Sequence, residues 1–420
     1  MHLAIVTAPA LLGRGAQFAV LAWLALLVTP ADYGRFASLQ VLVLGVASIT
    51  ASTMGASANA STARAVRNGV ESFPVLVLML LRARRRALLG NLLVSAVAVP
   101  VGARLVVGNQ DGALPVLVLT GVMSAALPLG EMVVAVLAGS GRYRTASWVD
   151  AGRAVAGATL ALLLGTTAGP WWAVVGLLAV DAVVAVLLLG LAASRSWTAG
   201  VELQEDVSGS IAAREGLAAG LTANLLGQAA NWSVLWAIGI LGGPVGLGVY
   251  GVALRFASVV TLAPQYFGKT VIGQLAAPDP GRNHWTPRSF VGMLAVLSVV
   301  GSGAAAVVLV TAFPGLVARY DGLWGTLAVV LTAASLRAVL IGLGQVCVAR
   351  RLWRTWVVAD GVSFVVTVVG VLLVVVGTAG DTGTAGVVAV VLVTVVANLA
   401  GITARLVGVV RRLQAPEPVA

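Results

Sequence analysis

Val245 to Phe267 reads VGLGVYGVALRFASVVTLAPQYF, an apolar segment with one arginine, Arg255, set near its middle. About ten residues lie on either side of Arg255 before a charge or a loop signal, which puts it near the midplane of a lipid bilayer. An ionisable side chain at that depth costs roughly 2.5–3.5 kcal/mol on insertion scales, so it is a functional hypothesis by default. The segment has a partial echo early in the chain. Tyr33–Ser38 reads YGRFAS, and Tyr250–Ser258 reads YGVALRFAS.

The rest of the chain has the same character. Its 420 residues are 59% hydrophobic and 10% charged, with a mean hydropathy of +1.01, whereas a soluble domain is about 25% charged. This is the composition of an integral membrane protein, with nearly all of its length in the bilayer. The single cysteine, Cys347, excludes an internal disulfide framework and a cysteine-based metal cluster. His2 and His284 stand far apart, so no metal site and no cofactor is expected. The net charge of +11 could point to nucleic acid, but the arginines cluster in short segments between apolar runs, as the positive-inside rule requires. The first apolar run has no basic region before it and is long enough to remain as a span, so no cleaved signal is expected. No Gly-rich loop followed by Lys-Ser/Thr occurs, and no segment is left for a catalytic domain. ATP-driven pumping by this chain alone and enzymatic activity are both set aside.

Apolar runs of about 20 residues predict spans near 3–28, 36–62, 86–107, 113–138, 149–168 and 170–193, then 214–241, 245–267, 288–312, 322–346, 356–378 and 384–410. The expected fold is therefore an all-α polytopic membrane protein of about twelve transmembrane helices. With the N-terminus inside, nineteen of the 26 basic residues fall on the inner side and three (Arg35, Arg104 and Arg319) on the other. Both termini are thus expected in the cytoplasm, in a cell membrane. The longest break is polar, with Glu202, Glu205 and Asp206, and divides the chain into lobes at 1–195 and 214–420 joined by a cytoplasmic linker, 196–213. The lobes carry traces of duplication: Arg144-Thr145 with Asp150 recurs as Arg354-Thr355 with Asp360, offset by 210 positions. Two six-helix repeats of the same orientation follow.

Polar residues inside the spans are the candidates for function. Arg14 lies mid-span with Gln17 one turn on, and Arg255 has Ser258 in the same relation. The seventh span carries Asn224, Gln228 and Asn231 as one polar stripe, suited either to bonding neighbouring helices or to holding a polar substrate. Arg337 is read either as a lock between helices, paired with an acid, or as a substrate contact. The acids are Glu131, which could reach the cytoplasmic surface, and Asp181, the best candidate to exchange a proton or ion. Asp150 and Arg153, three apart, are expected to form a local ion pair, and Asp360 to favour a helix start. Arg14 and Arg255 have no acid within a turn. Three central arginines against two acids would make a mildly cationic cavity, suited to an anionic headgroup, and the guanidinium fork matches phosphate oxygens.

Several short motifs resemble a known family. Val28-Thr29-Pro30-Ala31-Asp32-Tyr33-Gly34-Arg35-Phe36 resembles a Leu-Gly-Pro-Glu-Glu-Tyr-Gly junction before the second helix. Gly248-Val249-Tyr250-Gly251-Val252-Ala253-Leu254-Arg255 is similar to a Gly-Tyr-Tyr-Ser-Ala-Ala-Tyr-Arg stretch early in the second half. Both belong to the polysaccharide-biosynthesis membrane proteins, or O-antigen flippases, of the MATE-like multidrug/oligosaccharidyl-lipid/polysaccharide superfamily. The resemblance implies two six-helix lobes forming a V around a central cavity, and alternating access. It also implies a bacterial plasma-membrane flippase for undecaprenyl-pyrophosphate-linked glycans, working beside a polysaccharide polymerase and glycosyltransferases. Arg14 and Arg255, with Arg337, would meet the phosphates; Gln17, Asn224, Gln228 and Asn231 would complete the site, the helix-seven groups on sugar hydroxyls. Asp181 and Glu131 would be the coupling acids. An ion-coupled multidrug exporter of the same superfamily is the alternative, and a non-transporting scaffold for glycan enzymes is a third reading. Within this scheme Arg35 lies five residues past Pro30 and Arg255 eleven past Pro244. At about 1.5 Å per residue they differ in depth by roughly 9 Å, so Arg35 belongs at the surface.

Overall fold

A computed structural model of the chain describes residues 2–67, 72–107, 114–193, 217–276, 286–378 and 383–414. The linker expected at 196–213 lies outside the described residues. Among them the chain is all helix: α1 His2–Leu27, α2 Pro30–Arg67, α3 Phe73–Val107, α4 Leu114–Ser124, α5 Leu127–Gly139, α6 Tyr143–Thr167, α7 Pro170–Ala193, α8 Leu217–Ala276, α9 Pro287–Ala312, α10 Pro314–Arg319, α11 Leu323–Ala349, α12 Trp353–Gly377 and α13 Thr384–Gln414. Eleven helical stretches among the described residues are long and apolar enough to cross a membrane. Two predicted spans, 214–241 and 245–267, lie in one of them.

Sequence chemistry sets the helix ends. Proline opens α2, α7, α9 and α10, at the position where its missing N–H is no loss. Before α2, Thr29 Oγ1 accepts from the Asp32 backbone N–H at 3.1 Å and donates to the Asp32 carboxylate at 2.7 Å. Asp32 also takes Arg35, at 3.0 Å, so the early arginine is engaged within the first turns of α2. At α9, Thr286 and Ser289 form a reciprocal capping box.

Three expectations need correction. The span predicted at 113–138 is two helices, because Pro128 has no N–H to continue the ladder; Ala125 and Ala126 turn tightly instead onto Val122 and Met123, at 3.2 and 3.0 Å. The break expected between 214–241 and 245–267, by contrast, is borne out: α8 divides at Gly243, whose φ of 57° and ψ of −161° are open only to glycine. The arginines at 82–86, counted as a loop, belong to the continuous helix α3. Arg84 there donates to the Met54 carbonyl at 3.0 Å. Arg405, also counted with the loops, is buried within α13.

The chain divides into two compact units, Met1–Leu217 and Ala218–Ala420. In the N-terminal unit α6 packs on α1 and α7, and α2 packs on α3, α5 and α7. Leu80, Leu129, Met132 and Val136 lie in its buried core. In the C-terminal unit α13 packs on α11 and α12, and α9 on α11, around Phe290, Leu294 and Val346. The faces turned away from these contacts stay apolar: Leu93, Val186 and Val376 are among the most exposed side chains. Lipid is the solvent such faces require.

Small residues let the backbones close up. A Cβ at Gly176 on α7 would lie 2.6 Å from the Leu160 carbonyl of α6, and one at Gly157 on α6 would lie 2.8 Å from the Leu177 oxygen of α7. Gly176→Val should therefore destabilise the N-terminal unit by about 1–3 kcal/mol, read as a lowered thermal midpoint in detergent. Gly190→Val, where a Cβ meets nothing within 4 Å, should stay within about 0.5 kcal/mol of the parent.

Candidate functional site

Each unit carries charged side chains inside its spans, and in each unit glycine admits them. In the N-terminal unit, a Cβ at Gly13 would sit 2.5 Å from the Cα of Ala151. α1 therefore meets α6 backbone to backbone at this level, which brings Arg14 to Asp150. The Arg14 guanidinium donates to Asp150 at 2.8 Å and to Gln17 Oε1 at 3.0 Å. One helix over, Gly130 leaves room for the second pair, since a Cβ there would lie 2.5 Å from Asp181 Oδ1. Arg153 donates to that oxygen from Nε at 2.8 Å and again from Nη2. Glu131 stands 3.7 Å from Arg153 on the other side.

These contacts revise the local reading. Asp150 and Arg153 do not pair with each other: Asp150 serves Arg14, and Arg153 serves Asp181 and Glu131. Arg14 has its acid after all, 136 positions away. The Arg153 and Asp181 side chains are 9% and 10% exposed, against 28% for Glu131, so Glu131 is the open carboxylate of the group. Two guanidinium groups thus face three carboxyl groups.

In the C-terminal unit Asp360 on α12 accepts from Arg405 on α13 at 2.5 Å. Arg405 also donates to the Leu340 carbonyl of α11. Gly344 makes the space, because a Cβ there would come within 2.7 Å of the guanidinium. Asp360 is therefore a buried ion-pair partner, not a carboxylate at an exposed helix start.

Beside this pair lies a cavity of about 280 Å³ between α8, α11, α12 and α13. Arg337, Asn231 and Asp360 border it, with Asn398, Thr367 and Thr394. The Arg337 guanidinium rests over Gly227 of α8, where a Cβ would lie 3.2 Å from it. The fields of Arg337 and of the Asp360–Arg405 pair overlap. Here two guanidinium groups face one carboxylate.

The predicted residues distribute unevenly. Asn231 and Arg337 reach one cavity, and Asn231 donates to Gln228 at 3.3 Å. Asn224 is half-buried and stands outside the cavity lining. Arg255 is half-buried and also lies off that face, which uses Leu254, Ala257, Ser258 and Thr261 of α8. Arg14 and Gln17 are bonded together in the other unit, as are Glu131 and Asp181 through Arg153. Sequence reasoning passed over Arg405, although it lies inside the predicted span 384–410 and so carried the same signal as Arg255. It also passed over Asn398, which donates to the Ala333 carbonyl at 3.1 Å.

No protein-family profile matches the chain, and no curated protein matches it by sequence. Solved structures do match. The lipid II flippase MurJ in an inward closed conformation aligns over 96% of this chain and 87% of its own, with a TM-score of 0.67 at 10% identity. The Vibrio cholerae MATE transporter VcmN aligns over 99% and 97%, with a TM-score of 0.65 at 14% identity. A multidrug resistance MATE family transporter of the MOP superfamily, inward-facing, aligns over 98% and 100%, with a TM-score of 0.63 at 14% identity. The fold is MATE-like. On this MATE-like scaffold the candidate site is set by its buried charges, since identities this low carry no residue-level assignment.

Those charges also stabilise each unit internally. Arg405→Gln should cost about 3–5 kcal/mol, because it strands Asp360 in an apolar setting, whereas a joint Arg405→Met and Asp360→Leu change should cost clearly less. Unfolding in detergent followed by tryptophan fluorescence measures both.

Proposed function

We propose that the protein is a transporter, and specifically a flippase that moves lipid-linked oligosaccharide or polysaccharide precursors across the cytoplasmic membrane by alternating access. One observation carries this reading. In the C-terminal unit a guanidinium, Arg337, borders a cavity whose lining carboxylate, Asp360, is already paired with the buried Arg405, together with side-chain amide and hydroxyl groups. A positive, hydrogen-bonding cavity suits a phosphate-bearing saccharide headgroup, with the lipid tail left in the bilayer. The MATE-like scaffold supports the reading, since it is shared with a lipid II flippase. Undecaprenyl-pyrophosphate-linked glycan is the substrate class, and polysaccharide polymerase and glycosyltransferases are the enzymes that would act on either side of the step. The arginine distribution supports cytoplasmic termini in a bacterial cell membrane.

In this proposal Arg337 and Asn231 are the first substrate contacts, with Gln228 and Asn224 behind them on α8. Arg255 and Arg14 remain secondary candidates, Arg14 because Asp150 already neutralises it. The N-terminal unit, with its surplus carboxyl group, supplies the proton or ion coupling through Glu131 and Asp181. That same surplus favours the second reading, an exporter of cationic drugs; MATE-family neighbours are named as multidrug transporters.

Proteoliposomes loaded with a fluorescent prenyl-pyrophosphate disaccharide separate the two. The flippase reading expects the wild type to expose the probe to an external quencher well above protein-free vesicles, and Arg337→Ala to slow it at least tenfold. Transport of rhodamine 6G with no probe movement would overturn it in favour of drug export.

A further inference from the structure

The cavity of the C-terminal unit is chemically more particular than a positive charge. Six hydroxyl side chains border it, that of Tyr250 and those of five serines and threonines, and each of these five spends its proton on a backbone carbonyl. Ser258 donates to Arg255 at 2.6 Å and Thr261 to Ser258 at 3.0 Å. Ser363 donates to Ala397 at 3.1 Å, Thr367 to Ser363 at 2.8 Å and Thr394 to Val391 at 2.6 Å. A hydroxyl that has donated keeps its oxygen lone pairs, so the wall offers acceptors. The amides follow suit: Asn398 commits its NH₂ to Ala333 at 3.1 Å, and Asn231 directs its own toward Gln228 at 3.3 Å.

Against this wall stands one strong donor. A guanidinium has five N–H groups in a fixed fork, and among the described residues Arg337 spends none of them on a hydrogen bond or ion pair. Asp360 acts on it through its field but forms no hydrogen bond or ion pair with it among the described residues, its carboxylate being held by Arg405. A ligand that satisfies the whole lining must therefore bring an anionic group for Arg337 and several O–H donors for the serine, threonine and asparagine oxygens. A bare anion leaves the acceptors unmet, and a neutral polyol leaves the guanidinium unmet. The cavity of about 280 Å³ is open to its surroundings and has room for a sugar ring.

We propose that this cavity binds a single small hydroxylated anion, a sugar acid or sugar phosphate, with its anionic group on Arg337 and its hydroxyl protons on the Ser258, Thr261, Thr367 and Thr394 oxygens. The assignment rests on the cavity alone and stands whether or not the chain moves a lipid-linked glycan. It differs from the headgroup reading in requiring no lipid and no second sugar, since one hydroxylated anion meets both Arg337 and the acceptor wall.

Isothermal titration calorimetry on the full chain in detergent tests it. The probes are glucuronate and glucose 1-phosphate, each against its unhydroxylated counterpart (acetate and inorganic phosphate) and against glucose. The expected result is saturable binding of glucuronate, glucose 1-phosphate or both, at least tenfold tighter than the counterparts and than glucose. Which of the two binds tells carboxylate from phosphate. Arg337→Gln should weaken it at least tenfold. Thr394→Val, which keeps the shape and removes one acceptor, should weaken it a few-fold with an unchanged thermal midpoint. Acetate or inorganic phosphate binding as tightly as the sugar anion overturns the proposal. So does wild-type affinity in either variant, or no saturable binding at all. The Thr394→Val arm decides the matter even if the Arg337 variant does not fold.

Discussion

A guanidinium inside an apolar span is costly unless a carboxylate from another helix meets it, and the helices must come close enough for that to happen. In hydrocarbon no water is available to do it instead. Arg14 is met by Asp150, Arg153 by Asp181 and Arg405 by Asp360, each time across a helix–helix contact. At each contact a glycine stands where any side chain would collide: Gly13 for the first, Gly130 for the second and Gly344 for the third. The glycines and the ion pairs are one device. Removing a glycine would part the helices, and removing a charge would leave its partner stranded.

The two units use the device to opposite ends. Positions 150 and 360, separated by 210 residues, both hold buried carboxylates, yet one is claimed by the first helix of its unit and the other by the last. The N-terminal unit is left with Glu131 as a carboxyl group beyond its two guanidinium groups, while the C-terminal unit is left with Arg337 beyond its single pair. One unit therefore presents a negative surplus and the other a positive surplus. The chemistry lies in which position carries the extra charge.

The spans were legible because hydropathy is a local quantity: a run of Val, Leu and Ala declares itself without reference to the rest of the chain. The break at Gly243-Pro244 was legible for the same reason. Partners were not. The pairs join residues 136, 28 and 45 positions apart, and a local rule linking Asp150 to Arg153 pointed to a bond the fold does not make. Arg405 shows a different failure, since its place within an apolar run was visible but was absorbed into a tally of loop charges. The cavity could not be read at all, because it needs faces of four helices whose rotations only packing defines. Even so, Arg337 and Asn231 had been marked as polar groups too costly to leave facing lipid, and both border it.

The order in which the paired groups leave the ribosome differs between the units. Asp360 is made 45 residues before Arg405, so the last helix enters the membrane with its counter-charge already in place. Arg14 is made 136 residues before Asp150. At synthesis rates of about 5–20 residues per second, that leaves the first helix without its acid for roughly 7 to 27 seconds. Until α6 is made, the group of its final site already at hand for Arg14 is Gln17, three residues on in the same helix. The N-terminal unit closes last around its own beginning.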